Sequence, residues 1–91
     1  MSELEEYRRQ IDGIDTELAA LFCRRMELVE KIALCKRKAG LPTFDPAREE
    51  SMKKRLCASF ERADLLPYYR EFLTTLLSLS KDYQKEPEGK A

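Results

Sequence analysis

The residues able to do chemistry in this chain are charged or amide side chains. There is no histidine, and the three cysteines, at positions 23, 35 and 57, form no C-x-x-C pair. His-based triads and His-ligated metals are therefore excluded, and few routes to general base catalysis remain near neutral pH. Three cations stand out in the first forty residues: Arg8, Arg25 and Lys36. Guanidinium and ammonium groups bind anions, so we predict an anion site that needs no metal and no cofactor.

These three cations lie on one long predicted helix, from Ser2 to Gly40. Ser2 and Glu5 form an S-x-x-E capping box, and Gly40 followed by Pro42 is typical of a helix end. Two heptad registers form an apolar seam; they are Leu4, Ile11, Leu18, Arg25 and Ile32, and Tyr7, Ile14, Leu21, Leu28 and Cys35. Arg25 interrupts this seam. A single such cation usually extends its stem past the seam into water, but three on one side of the helix favour an anion site.

The length of this helix predicts a second chain. About 37 helical residues span roughly 55 Å, whereas a compact domain of this size is about 30 Å across. The seam therefore cannot be covered by the rest of its own chain. In an antiparallel pair with a two-fold axis near residues 16 and 17, facing residue numbers sum to about 33. Arg8 of one chain would then lie beside Arg25 of the other, and a ligand anion between them would relieve their repulsion.

Two shorter helices follow. Asp45 and Pro46 are typical of a helix start, and the second helix is predicted from 46 to about 62. Asp45, Arg48 and Glu49 share one face of it, which could be no more than a cap with ordinary first-turn charges. A third helix is predicted from a start within 64–67 to about Gln84. Its apolar row ends in Ser80 and Gln84, which suggests a polar cavity wall, with a fraying C-terminus as the alternative. The fold class is therefore all-α, with one very long and two short helices in an intertwined antiparallel homodimer.

Composition sets further limits. The 91 residues make one domain, predicted over 1–84, with a polar tail or linker over 85–91. Lys plus Arg and Asp plus Glu both number 17, so no net basic field attracts nucleic acid or an anionic membrane. No apolar run reaches the length of a membrane span, and the acidic N-terminus does not look like a signal peptide. A cytoplasmic protein with reduced thiols is expected.

Four segments together resemble a known family. They are Y-R-R-Q-I-D-G-I-D, L-F-C-R-R-M-E-L-V, K-R-K-A-G-L-P-T-F-D-P-A-R-E-E and S-K-D-Y-Q, which begin at residues 7, 21, 36 and 80. The chain resembles the all-helical class of chorismate mutase over about residues 4–84. Each segment alone would be a weak signal. Their joint order over three helices makes chance agreement improbable.

This resemblance implies a role for each polar position. Arg8, supplied by the partner subunit, and Arg25 hold the two carboxylates of chorismate. Lys36 and Gln84 donate to the ether oxygen of the breaking bond, and Glu49 accepts from the ring hydroxyl. The carboxylate contacts and the wall are completed by Arg48, Asp45 and Ser80. The implied activity is an isomerase that converts chorismate to prephenate in phenylalanine and tyrosine biosynthesis, without metal or cofactor.

Two alternatives stay open from the sequence. One is isochorismate-pyruvate lyase activity on the same fold, which would use the same arginines and make less use of Glu49. The other is a non-catalytic helical dimerisation or regulatory module, which leaves Arg25, Ser80 and Gln84 without a purpose. Either a free-standing enzyme or the first domain of a longer protein fits the sequence.

Overall fold

The structure, a computed structural model, describes residues 2–85, and within that range all regular secondary structure is helical, with no strand. Its elements in order are α1 (Glu3–Ala39), α2 (Pro46–Ala58), a short 3-10 turn (Ala63–Leu65) and α3 (Leu66–Lys85). The predicted all-α fold of one very long and two short helices is confirmed. The predicted pairing of two chains stays a prediction.

Both ends of α1 are closed by local hydrogen bonds. The Ser2 hydroxyl accepts from the Glu5 N–H at 3.1 Å. At the other end Gly40 adopts the left-handed region, with φ of 69°, and the Leu41 N–H donates to the Lys36 carbonyl at 2.8 Å. A side chain at position 40 would be strained there, so glycine suits this end of the helix. Between the two caps the helix continues past Gly13 without a break.

The start of α2 follows the prediction, but its end does not. The Asp45 carboxylate accepts from the Arg48 N–H at 3.1 Å, and Pro46 occupies the first turn. The helix ends at Ala58, four residues before the predicted end at 62. The reason is aromatic packing, because Phe60 leaves the helical path and stacks on Tyr69 of α3 with ring centroids 4.3 Å apart. Phe60, whose apolar spacing suggested a longer helix, thus makes a contact with α3 instead.

The chain enters α3 through the 3-10 turn. Just before this turn, the Arg62 guanidinium donates to both carboxylate oxygens of Asp64, at 2.8 and 2.7 Å. The observed start of α3 at Leu66 lies within the predicted range. Lys85, predicted to begin the tail, is instead the last residue of α3. The rest of the predicted tail, 86–91, lies outside the described residues.

The core is small and lies at one end of the molecule. Its buried apolar residues are Val29 and Ala33 on α1 and Leu73 and Leu77 on α3. Among the described residues α2 has none that is fully buried. The core therefore joins the last third of α1 to α3, and the first two thirds of α1 extend beyond it.

The apolar seam of α1 is left uncovered by its own chain. Nine of its large apolar side chains are between 42% and 57% exposed; they are Leu4, Tyr7, Ile11, Ile14, Leu18, Leu21, Phe22, Leu28 and Ile32. The molecule is 56 Å long, and its radius of gyration is 16.7 Å, against about 12 Å for a compact chain of this length. Contiguous apolar surface of this extent marks an interaction site. No helix in the described part of the chain is both long and apolar enough to cross a membrane.

The position of the core yields a prediction for stability. Leu73 is 3% exposed between the helices, so Leu73→Ala should lower the free energy of unfolding by about 2–5 kcal/mol through lost burial and a cavity. Urea unfolding at a fixed protein concentration measures the change. Tyr68→Ala is the control, since Tyr68 is 71% exposed, and it should change stability by less than about 0.5 kcal/mol. Equal effects of the two substitutions would contradict the assigned core.

Candidate functional site

A cavity of about 150 Å³ lies where the last turns of α1, the start of α2 and the end of α3 meet. Seven of the eight residues predicted from the sequence line it: Arg25, Lys36, Asp45, Arg48, Glu49, Ser80 and Gln84. The helical repeat explains the convergence. Positions 25, 29, 32 and 36 share one face of α1, and positions 77, 80, 81 and 84 share one face of α3. The first turn of α2 closes the third side.

Arg25 is a partly buried cation in this cavity. It is half-buried, and one of its Nη atoms donates to the hydroxyl of Ser80, which is 5% exposed. Ser80 in turn donates to the Leu76 carbonyl at 2.9 Å. Burial lowers the pKa of the Arg25 guanidinium, which nevertheless stays charged at neutral pH. In the described part of the chain no carboxylate pairs with Arg25. A partly desolvated cation with a neutral partner is suited to binding an anion.

Lys36 and Gln84 form a fixed pair across the cavity. The Lys36 Nζ donates to the Gln84 Oε1 at 2.9 Å and to the Thr43 carbonyl at 2.7 Å. An ammonium group can only donate, so the oxygen of the Gln84 amide must face Lys36 and its NH₂ lies on the opposite side. These two bonds use two of the three N–H groups of Lys36. One ammonium N–H and the amide NH₂ therefore remain for an oxygen of a ligand.

The start of α2 contributes groups of both signs. The Asp45 carboxylate caps the helix by accepting from the Arg48 N–H, so the cap suggested by the sequence is present. The Arg48 side chain is exposed, and Glu49 is half-buried. Glu49 is thus available as an acceptor for a ligand hydroxyl, and Arg48 as a donor to an anion.

Arg8 is the predicted site residue that the structure does not bring to this cavity. It is exposed, 17 residues before Arg25 on the same straight helix, which is a distance of about 26 Å. Its own chain therefore cannot deliver it to the cavity beside Arg25. Its expected place in the site of a partner subunit stays a prediction.

Two polar contributors were missed by the sequence reasoning, Thr43 and Lys81. Thr43 acts through its backbone carbonyl, for which a side-chain pattern gives no signal. Lys81 lines the cavity. Its position next to Ser80 and about one turn before Gln84 could have predicted this from the sequence. The apolar wall was also not assigned to the site; it comprises Val29, Ile32, Met52 and Leu77.

A second cavity, of about 370 Å³, lies between α2 and α3 on a different face of α2. Its cations are Lys53, Lys54 and Arg70, and none of the predicted site residues lines it. It lacks the paired amide and ammonium donors of the first cavity. Within residues 2–85 there is also no cluster of three or more His, Cys, Asp or Glu side chains arranged to hold a metal ion. That the chain needs no metal or cofactor stays a prediction.

The sequence of the chain from residue 7 to residue 85 matches the family model of chorismate mutase type II. The chain belongs to the type II chorismate mutase family. The resemblance inferred from the four segments is thereby confirmed.

Relatives of this chorismate mutase family member include longer enzymes. A bifunctional chorismate mutase/prephenate dehydratase of Aquifex aeolicus is 35% identical, with 89% of this chain and 25% of the relative covered. A T-protein of Haemophilus influenzae is 37% identical over 71% of this chain and 17% of its own length. A chorismate mutase of Methanocaldococcus jannaschii is 34% identical over 62% of this chain and 57% of its own length. The chain thus spans a quarter or less of the first two relatives.

Two solved structures are similar over nearly their whole length. The chorismate mutase (form II) of Thermus thermophilus has a TM-score of 0.89 at 26% identity, with 93% of this chain and 97% of that chain covered. A conserved hypothetical protein of Pyrococcus furiosus has a TM-score of 0.76 at 29% identity, with 93% and 99% covered. The three-helix fold is therefore that of a type II chorismate mutase.

Proposed function

We propose that this chain is a chorismate mutase, an isomerase that converts chorismate to prephenate in phenylalanine and tyrosine biosynthesis. The observation that carries the proposal is the Lys36–Gln84 pair beside the half-buried Arg25 in one cavity. Membership of the type II family supports chorismate as the substrate. A cytoplasmic location belongs to the same proposal and stays an expectation from composition.

The reaction suits the residues of the cavity. Chorismate rearranges within one molecule by a [3,3] shift, which needs no nucleophile and no proton transfer. A protein accelerates it by holding the reacting arm over the ring, and the entropy removed in this way lowers the barrier. Arg25 and a partner's Arg8 would bind the two carboxylates, since a guanidinium holds a carboxylate by two parallel bonds. Arg48 adds a further donor at the same wall.

The second contribution is electrostatic. As the C–O bond breaks, negative charge gathers on the ether oxygen. The free N–H of Lys36 and the NH₂ of Gln84 are donors already fixed in place, of a kind worth about 2.7–4 kcal/mol each. Glu49 would accept from the ring hydroxyl, and Asp45 and Ser80 complete the wall. Ser80 also holds Arg25 in its orientation.

The proposed active form is an antiparallel homodimer. The exposed seam of α1 supports it, because nine large apolar side chains would otherwise face water. The register inferred from the sequence sets Arg8 of one chain opposite Arg25 of the other. Each site would then draw seven of its polar groups from one chain and Arg8 from its partner.

The direct test is turnover of chorismate by the isolated chain. We expect loss of chorismate absorbance with formation of prephenate, and an Arg25→Ala chain as the inactive control. Release of pyruvate from isochorismate, with no loss of chorismate, would instead identify a lyase. Absence of turnover on both substrates by a folded chain would favour a non-catalytic module and contradict the proposal.

A second prediction concerns the pH dependence of a Gln84→Glu variant. Only the protonated acid can donate to the ether oxygen. Lys36, which is 2.9 Å from the side-chain oxygen of residue 84, favours the carboxylate and lowers the pKa of that acid below its ordinary range. The active form is thus lost as pH rises through a pKa on the acid side of neutrality. The kcat of the variant should therefore already be falling at about pH 4 and should drop about tenfold for each further pH unit, down to the rate of a variant with no donor, whereas the wild-type chain should be nearly flat.

Gln84→Ala is the matched control for this experiment. It removes the donor without adding a titrating group, so its kcat should be low at every pH. A flat profile for Gln84→Glu at the wild-type rate would remove Gln84 from the assigned role.

A third prediction tests the sharing of sites between chains. Arg8→Ala and Arg25→Ala homodimers should each be nearly inactive, because every site lacks one carboxylate-binding arginine. The two variants are mixed, unfolded and refolded together, since an intertwined dimer exchanges chains slowly. A mixed dimer has one site with both arginines and one with neither. Random pairing makes about half of the dimers mixed, so about a quarter of wild-type activity should return.

Arg9→Ala is the control for the loss of Arg8. Arg9 is on the same turn and is paired with Glu6 at the solvent face, so this variant should keep its activity. Sites built within single chains predict no recovery on mixing. No recovery despite mass-spectrometric proof of mixed dimers would therefore refute the shared site.

A further inference from the structure

Lys81 makes a contact that none of the roles above uses. Its Nζ lies 4.4 Å from the centroid of the Phe44 ring, over the ring face. Lys81 is on α3 and lines the cavity, while Phe44 lies on the connection between α1 and α2. An ammonium over an aromatic face is attracted by the electrons of the ring. Because Phe44 is 45% exposed, packing alone holds its ring only in part. The contact with Lys81 therefore helps to fix the position of the ring against α3.

We propose that Lys81 and Phe44 are positioning residues, which hold the α1–α2 connection against α3 and thereby fix Lys36 in the cavity. The inference rests on the proposed mutase function only for its effect on rate. The contact itself and its effect on the Lys36–Gln84 pair can be measured without substrate.

The coupling passes through one peptide bond. The carbonyl of Thr43 is bonded to the nitrogen of Phe44, so the place of the ring restricts the orientation of that carbonyl. The same carbonyl accepts from the Lys36 Nζ at 2.7 Å, and Lys36 donates in turn to Gln84 on α3. Gln84 is three residues after Lys81 on the same helix. Three contacts thus form a closed loop from α3 through the connection and α1 back to α3.

This loop determines where the remaining N–H of Lys36 points. A lysine side chain has four rotatable bonds, and its ammonium becomes directed only when its other N–H groups are bonded. If the Phe44 ring is released, the Thr43 carbonyl is less well held and Lys36 loses one of its two fixed acceptors. Lys36 acts on charge that develops in the transition state, so its misplacement should lower kcat and leave KM nearly unchanged.

A competing role for Lys81 is direct binding of a substrate carboxylate, since its charge is at the cavity. The two roles differ in what Phe44 does. Loss of the ring alone leaves the charge of Lys81 in place, so it affects activity only if the contact matters. Loss of a direct carboxylate ligand would raise KM and would not depend on Phe44.

The experiment is a double-mutant cycle with Phe44→Leu and Lys81→Met, both assayed for kcat and KM on chorismate. Each should lower kcat roughly two- to fivefold, the range expected for one cation–π contact, with KM within about twofold. The double variant should be no slower than either single one, because both remove the same contact. Lys81→Arg and Phe44→Tyr, which keep a cation and a ring, should retain nearly the wild-type rate. Lys54→Met is the matched control, since Lys54 is exposed and lines the second cavity rather than the site, and its rate should be unchanged.

A spectroscopic measurement tests the link to Lys36 without activity. The chain contains two glutamines, Gln10 and Gln84, and no asparagine, so its side-chain amide NMR signals are two pairs. Replacement of Gln84 assigns its pair. Phe44→Leu should shift the Gln84 signals, since it loosens the Lys36–Gln84 bond, and should leave the Gln10 signals unchanged. Phe44→Tyr should shift neither pair.

The outcomes separate the two levels of inference. A wild-type chain without turnover would overturn the proposed mutase function, and the Gln84 signals would still decide whether the contact positions Lys36. With an active wild-type chain, multiplied effects in the double variant overturn the positioning role. A raised KM in Lys81→Met together with no effect of Phe44→Leu would also overturn the positioning role. Unshifted Gln84 signals in Phe44→Leu would overturn the positioning role, whether or not the wild-type chain is active.

Discussion

A helix longer than its own chain can cover is the constraint on which the rest of this molecule depends. The 37 residues of α1 reach about 55 Å, while the buried core joins only Val29 and Ala33 to α3. The remaining seam is apolar and half exposed. In the proposed dimer the same surface that stabilises the fold also delivers Arg8 to the site. Assembly and ligand binding then depend on one helix, because residues 17 positions apart on it serve two different cavities.

Within the cavity, two of the cations, Arg25 and Lys36, are held by neutral acceptors. Arg25 donates to the Ser80 hydroxyl, and Lys36 donates to an amide oxygen and a backbone carbonyl. A carboxylate in either place would neutralise the charge and compete with a bound anion. Hydroxyl, amide and carbonyl acceptors fix the direction of the donor and leave its positive charge available. The partial desolvation of Arg25 is thus offset by the Ser80 hydroxyl but by no opposite charge within the described part of the chain, and an anionic ligand is suited to supply that charge.

Periodicity and caps predicted most of the fold. The heptad seam, the Ser2 cap, the Gly40 end and the Asp45–Pro46 start depend on local chemistry and appear as expected. The predicted end of α2 was wrong because Phe60 leaves the helix and stacks on Tyr69. Apolar spacing alone cannot show whether Phe60 continues the apolar face of α2 or makes such a tertiary contact. Seven of the predicted site residues line one cavity, although their individual roles came from the family resemblance. The Thr43 carbonyl and the Lys81–Phe44 contact depend on the path of a connection, which residue spacing does not encode.

The donors assigned to the reaction share one property that suits a chain without histidine. Guanidinium, ammonium and amide groups keep their protons across the neutral range. They can therefore stabilise charge that appears and disappears during a reaction without taking part in proton transfer. Such an electrostatic task requires fixed donors more than tuned pKa values. The bonds from Lys36 to Gln84 and to Thr43 provide that fixation with three elements of the fold, α1, α3 and the connection between α1 and α2. The rigidity of this small site thus comes from polar contacts that cross between helices, because within residues 2–85 the core beneath it is made of only a few apolar side chains.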